Sequence, residues 1–114
     1  MSRSPAEVAE AQLVAYNAKD LAAFLGAFAD DVREFRPPET EPFLVGREAF
    51  AEYYGTQRFP FPDLHAEVLQ RMVVGSIVVD HERITGIRDA PVEGVAIYEV
   101  VGGEIRNVWF HSDE

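Results

Sequence analysis

The sequence predicts an α+β domain in which helices collect on one face of a mostly antiparallel sheet, and three observations carry that prediction. Helical spacing of apolar residues is confined to the first half of the chain. From Leu64 onward four β-branched, strand-like runs follow at residues 64–74, 76–85, 92–101 and 104–112. Their joints, Gly75, residues 86–91 and Gly102-Gly103, carry turn chemistry, so consecutive strands run antiparallel as a meander. Such an order of elements belongs to the α+β class. At 114 residues the chain reads as one domain, residues 1–114, able to bury roughly two thirds of the surface that it exposes when unfolded.

Taken in order, Ser4-Pro5-Ala6-Glu7 opens the first helix. Ser4 is an N-cap, Pro5 suits the first helical position, and Glu7 closes a capping box. Val8, Ala11 and Ala15, flanked by Leu13 and Tyr16, give this helix a broad apolar face up to about Asn17. Asp20 caps a second helix, with Leu21, Phe24, Leu25 and Phe28 on one stripe. Acids at Ala29-Asp30-Asp31 oppose the helix dipole, which predicts a turn there. A short strand over residues 32–36 stops at Pro37-Pro38, and a polar loop spans residues 39–45. The third helix starts near Gly46 and carries Ala49, Phe50, Tyr53 and Tyr54 on one side. Phe59-Pro60-Phe61-Pro62-Asp63 is a proline-set connector into the meander.

Composition excludes several functions. The net charge of −10, with Lys19 the single lysine, argues against nucleic acid and anionic membranes as partners. With no cysteine there is no disulfide, thiolate catalysis or cysteine-based zinc site. His65, His81 and His111 lack paired ligand spacing, so no metal is expected. Without a glycine-rich phosphate loop, no nucleotide cofactor is expected either. The first residues lack the apolar run of a signal peptide and no stretch reaches membrane-spanning length, so a cytoplasmic location is the default.

The chemistry concentrates in the second meander strand. Alternation places Ile77, Val79, His81 and Arg83 on one face and Val78, Asp80, Glu82 and Ile84 on the other. If the first face is internal, His81 is an acid or base poised near neutral pH and Arg83 stabilises developing charge. The opposite register points Asp80 and Glu82 inward, and a one-residue slip exchanges the two. In the third meander strand Gly94, Ala96 and Tyr98 share a face, where small residues leave room for a ligand beside a tyrosine hydroxyl.

The run from Asn17 to Phe24, then Phe28-Ala29-Asp30-Asp31-Val32, Gly46-Arg47-Glu48-Ala49-Phe50 before Tyr53-Tyr54, and Gly103-Glu104-Ile105, together resemble the NTF2-like superfamily. The likeness is to its SnoaL-like and ketosteroid-isomerase-like branch. It implies a cone-shaped, cystatin-like fold: a strongly curved sheet wrapped around three helices, enclosing an apolar pocket. Matched residue by residue, the isomerases' general base falls at Arg36, their oxyanion tyrosine at Gln12 and their oxyanion acid near Ala96. An arginine does not deprotonate, so the resemblance does not imply steroid isomerase activity. Tyr54 carries over as part of a polar network. Val108, Phe110 and Ser112 match inner positions of the last strand, leaving Trp109 and His111 outside; an outward Trp109 points to a homodimer through the outer face of the sheet.

The combined expectation is a pocket lined by Gln12, Phe24, Phe28, Arg36, Tyr53, Val79, Ala96, Tyr98, Val108 and Phe110. Its ligand is a small apolar molecule. The chemistry is that of a cofactor-independent lyase, hydrolase or isomerase, with His81, Arg83 and Tyr54 as the catalytic groups. The competing expectation is a domain without catalysis that binds a small ligand or dimerises.

Overall fold

The computed structural model describes residues 3–114. Helix α1 (Pro5–Ala18) begins as its capping box dictates: the Ser4 hydroxyl accepts from the Glu7 amide, and the Glu7 carboxylate accepts from the Ser4 amide. It ends at Lys19, which adopts the left-handed conformation. Helix α2 (Leu21–Leu25) is capped by Asp20, whose carboxylate accepts from the Ala23 amide at 3.1 Å. Strands β1 (Phe28–Phe35) and β2 (Pro42–Val45) precede helix α3 (Arg47–Gln57). The meander then runs β3 (His65–Val74), β4 (Ile77–Thr85), β5 (Val92–Val101) and β6 (Glu104–Ser112).

All six strands form one curved, open sheet in the order β2-β1-β6-β5-β4-β3. Every neighbouring pair is antiparallel except β1 with β6, which is parallel. The helices fill the concave side. Phe24, Phe28, Phe50, Val8 and Ile105 are all at most 2% exposed there. Burying each of these side chains contributes roughly 1.5–3 kcal/mol, which is what holds three short helices to the sheet.

Two local expectations are corrected. The second helix stops at Leu25 instead of running through Phe28, and the predicted turn at residues 29–31 lies inside β1. The acids there are accommodated by arginines distant in sequence: Arg47 stands 3.1 Å from Asp30 and Arg106 stands 3.9 Å from Asp31. The loop at residues 39–45 contains β2, an edge strand that tolerates Pro42 at its start because an edge leaves one row of amides unpaired. Gly86, at φ +90°, packs its backbone against the connector after α3, where a Cβ would meet the Asp63 carbonyl oxygen at 2.2 Å. Among the described residues no helix is long and apolar enough to cross a membrane.

Candidate active site

Between the helices and the concave face lies a cavity of about 60 Å³. Seven aromatic rings line it, those of Tyr16, Phe24, Phe28, Phe50, Tyr54, Tyr98 and Phe110. Ala96 opens space on β5, and Gln12, Glu34, Arg36, Arg58 and Glu82 bring polar groups into an otherwise apolar lining.

The register of β4 decides the chemistry. Val78, Asp80, Glu82 and Ile84 are buried on the concave side, which leaves His81 and Arg83 on the convex one. His81 Nε2 stands 2.6 Å from Glu93 Oε1, and Arg83 lies 3.9 Å from Glu67, both as cross-strand surface pairs. The expectation that these two side chains point into the cavity is thereby corrected. The physical reason is that each face of β4 offers two aliphatic residues, so apolar content does not choose between them. The choice falls to Arg71, directly opposite Asp80 on β3. Its guanidinium grips Asp80 with two bonds, Nε to Oδ1 at 2.7 Å and Nη2 to Oδ2 at 3.0 Å, which makes a fully buried carboxylate tolerable.

Two other expected lining residues sit elsewhere. Val79 lies on the convex face in register with Met72 and Ile97. Tyr53 packs edge-on against Phe43 at 5.1 Å and beneath Arg36 and Arg58, behind the cavity wall. Gln12, Phe24, Phe28, Arg36, Ala96, Tyr98, Val108 and Phe110 do line the cavity, together with Tyr54.

Two polar groupings face each other across it. On β1 the buried Glu34 accepts from the Tyr54 hydroxyl at 2.6 Å and from Arg36 Nε. The Tyr54 phenol is held well above its ordinary range, first by burial and then by the Glu34 charge, so its proton stays in place and is spent on Glu34. Burial works against the charged form of Arg36, yet Glu34, Tyr54 and Tyr53 together outweigh it and keep the guanidinium firmly cationic. On the other side, Gln12 Nε2 donates to the Tyr98 hydroxyl at 3.1 Å. Because that oxygen already accepts, the Tyr98 proton is directed elsewhere. Burial, and then the carboxyls of Glu82 and Asp80, push the Tyr98 phenol well above its usual range.

Glu82 is 5% exposed, and its carboxyl faces the cavity. Burial above all, and then the neighbouring Asp80 charge, push it up to about 8, while hydrogen bonding with Tyr98 and the charge of Arg71 pull the other way. At neutral pH it is therefore a protonated acid inside an apolar chamber. Glu34, Asp80 and Glu82 were not among the groups expected to act. The signal for the last two was the alternative register of their strand. For Glu34 it was alternation with Val32, an apolar residue two positions earlier. Among the described residues no cluster of three histidine or acidic side chains is arranged to hold a metal ion.

A curved, open sheet folded over three short helices, with acids set into the wall of an internal pocket, defines a pocketed α+β domain of the cystatin-like class. Within that class the chain belongs to the SnoaL-like domain family, which it matches over residues 9–108. Three solved structures illustrate the likeness. An uncharacterized cystatin fold protein from Novosphingobium aromaticivorans is 27% identical, with a TM-score of 0.85 over 96% of this chain and 98% of the other. A proposed ketosteroid isomerase from Kribbella flavida is 22% identical, with a TM-score of 0.83 over 96% of this chain and 78% of the other. A proposed polyketide cyclase from Streptomyces antibioticus is 20% identical, with a TM-score of 0.81 over 97% of this chain and 93% of the other. At such identities the last two speak for the fold alone. No curated protein matches the sequence. The family and the enclosed cavity both suit a small-molecule ligand.

Proposed function

We propose that the protein is a cofactor-independent enzyme that passes a proton to an oxygen of a small, largely apolar substrate, with Glu82 as the proton donor. One observation carries this reading: Glu82 presents its carboxyl to a largely apolar chamber while Arg71, the cation that favours its charged form, is engaged by Asp80. A neutral carboxyl whose pKa lies close to working pH is effective as a general acid. Tyr98, oriented by the Gln12 amide, hydrogen-bonds with Glu82 and steadies the carboxylate that transfer leaves behind. Transfer leaves Glu82 as a carboxylate, which recovers its proton from the substrate or from water as the product leaves. The same proton transfer serves enolisation in an isomerase, where the Glu82 carboxylate takes the α-proton in return, departure of a hydroxyl group as water in a lyase, and opening of an epoxide by water in a hydrolase, where the attacking water returns the proton.

Small cyclic enones, β-hydroxy ketones and epoxides, incubated with the protein and followed by NMR, test the assignment. The wild type should turn over at least one of these classes, and Glu82→Gln should slow that reaction by about a thousandfold, the usual worth of a positioned acid. The wild-type rate should decline as pH rises through about 8. An equal rate in Glu82→Gln removes Glu82 from the mechanism.

A homodimer through the convex face is part of the proposal. Strand register aligns Met72, Val79, Ile97, Trp109 and Phe35 in one row across five strands. Trp109 stacks on Phe35 at 5.8 Å, and Met72 is 56% exposed. Sedimentation should find a dimer for the wild type and a monomer for Ile97→Lys, whose added charge would lie in the middle of the row. A monomeric wild type at micromolar concentration refutes the dimer.

A further inference from the structure

We propose that the mouth of the cavity is a carboxylate site built around Arg36, so that the ligand is a small apolar acid whose anionic head stays at the mouth while its body enters the aromatic chamber. The inference rests on reading the cavity as a small-molecule site and adds the chemical class of the ligand.

Arg36 continues the inward alternation of Val32 and Glu34 just past the end of β1. It lines the inner cavity and also an open outer groove of about 300 Å³ formed with Pro37, Phe110, His111, Ser112 and Glu114. The guanidinium therefore stands at the boundary between the two. Its carbon lies 4.2 Å from the Phe43 ring centre and 5.3 Å from that of Phe110. Stacking of this kind holds the plane of the fork and leaves its edges available. Nε is engaged by Glu34 and a further contact is made with Tyr53, which together account for only part of a five-donor fork.

A second cation stands close by. Arg58 also lines the cavity, and it shares the Tyr53 ring with Arg36, the two guanidinium carbons lying 5.4 and 5.7 Å from its centre. One arm of Arg58 donates to the Gln57 carbonyl at 3.0 Å. The other is 4.0 Å from Glu114, a half-exposed carboxylate and a loose partner that a bound acid can displace. Two acids thus face the pair of cations: Glu34, already engaged by Tyr54 and Arg36, and Glu114. The overall charge of −10 does not decide the matter, because exposed charges farther away than about 8 Å are largely screened at physiological ionic strength. The local fork decides, and its planar geometry fits a carboxylate with two bonds.

Benzoate and benzyl alcohol share a ring and differ in the charge of the head, so calorimetric titration of the intact protein with each tests the site. The wild type should bind benzoate at least about tenfold more tightly than the alcohol, as expected for charge-assisted bonding. Arg36→Met should abolish that preference and Arg58→Met should reduce it. Since Arg36→Met strands the Glu34 charge, Arg36→Met combined with Glu34→Gln keeps the test usable if the single variant fails to fold. Equal affinities, no binding of either probe to the wild type, or a benzoate preference that survives both arginine replacements would each overturn the inference. Turnover by Glu82 is read separately, so its failure leaves the charge preference to stand or fall by itself.

Discussion

Glu82→Gln should be more stable than the wild type by about 5 kcal/mol at pH 9 and equal to it near pH 4. In the unfolded chain Glu82 titrates at its ordinary value of 4.5, whereas in the folded protein it is pushed up to about 8. Between those values the folded state holds a proton that the unfolded state has released, so stability falls as pH rises. That interval, at about 1.4 kcal/mol per pH unit, amounts to about 5 kcal/mol. Below 4.5 the carboxyl is protonated in both states and the variant gains nothing. Above 8 the full cost of burying a charge is present in the wild type and absent from the variant. Urea unfolding of both proteins at pH 4, 7 and 9 measures the gap. Acids remote from Glu82 cancel in the comparison, leaving Glu82 and its coupled neighbour Asp80, so a gap that stays constant with pH would mean that Glu82 titrates normally and is not the buried acid the site requires. The same substitution is expected to slow turnover about a thousandfold, and stability surrendered at one residue in exchange for chemistry is typical of working sites.

How much of this was legible beforehand can be read from particular residues. The capping box at Ser4 and Glu7 and the glycine joints of the meander are local signals, and local signals survive in a sequence. The parallel pairing of β1 with β6 joins segments about seventy-five residues apart, and nothing local specifies it. Leu21, Phe24, Leu25 and Phe28 keep helical spacing past the end of α2, even though Phe28 already belongs to a strand. Its ring meets Phe24 at 4.9 Å through tertiary packing, where periodicity in the sequence suggested a shared helix face. The same limit governs the site. Which face of β4 turns inward depends on Arg71 lying opposite Asp80, a partner on another strand. The arginine at the cavity is Arg36 and not Arg83, and its inward direction follows from Val32 two turns of the pleat earlier.

Arg71→Met should cost about 3–5 kcal/mol, although Arg71 itself lies near the surface. Its partner explains the size of the loss. Asp80 is fully buried, and both of its oxygens are satisfied by the one guanidinium. Removing the arginine leaves a carboxylate that must either stay charged in an apolar wall or take up a proton to remain there, and stranding one half of a buried pair costs several kcal/mol. The third bond of Arg71, to the exposed Glu10 of α1 at 3.0 Å, is a surface pair worth at most about 1 kcal/mol. Glu10→Gln should therefore lower stability only slightly, which separates the two contributions. Replacing both members of the buried pair, Arg71→Met with Asp80→Leu, should recover most of the loss, because an apolar pair of similar volume needs no desolvation of charge. Urea denaturation of the four proteins at pH 7 supplies the comparison. A cost below about 1 kcal/mol for Arg71→Met, or a double variant less stable than the single, would show that the pair does not hold β4 in its register. In that case the inward direction of Glu82 would need another cause, since both residues share one face of one strand and turn inward together.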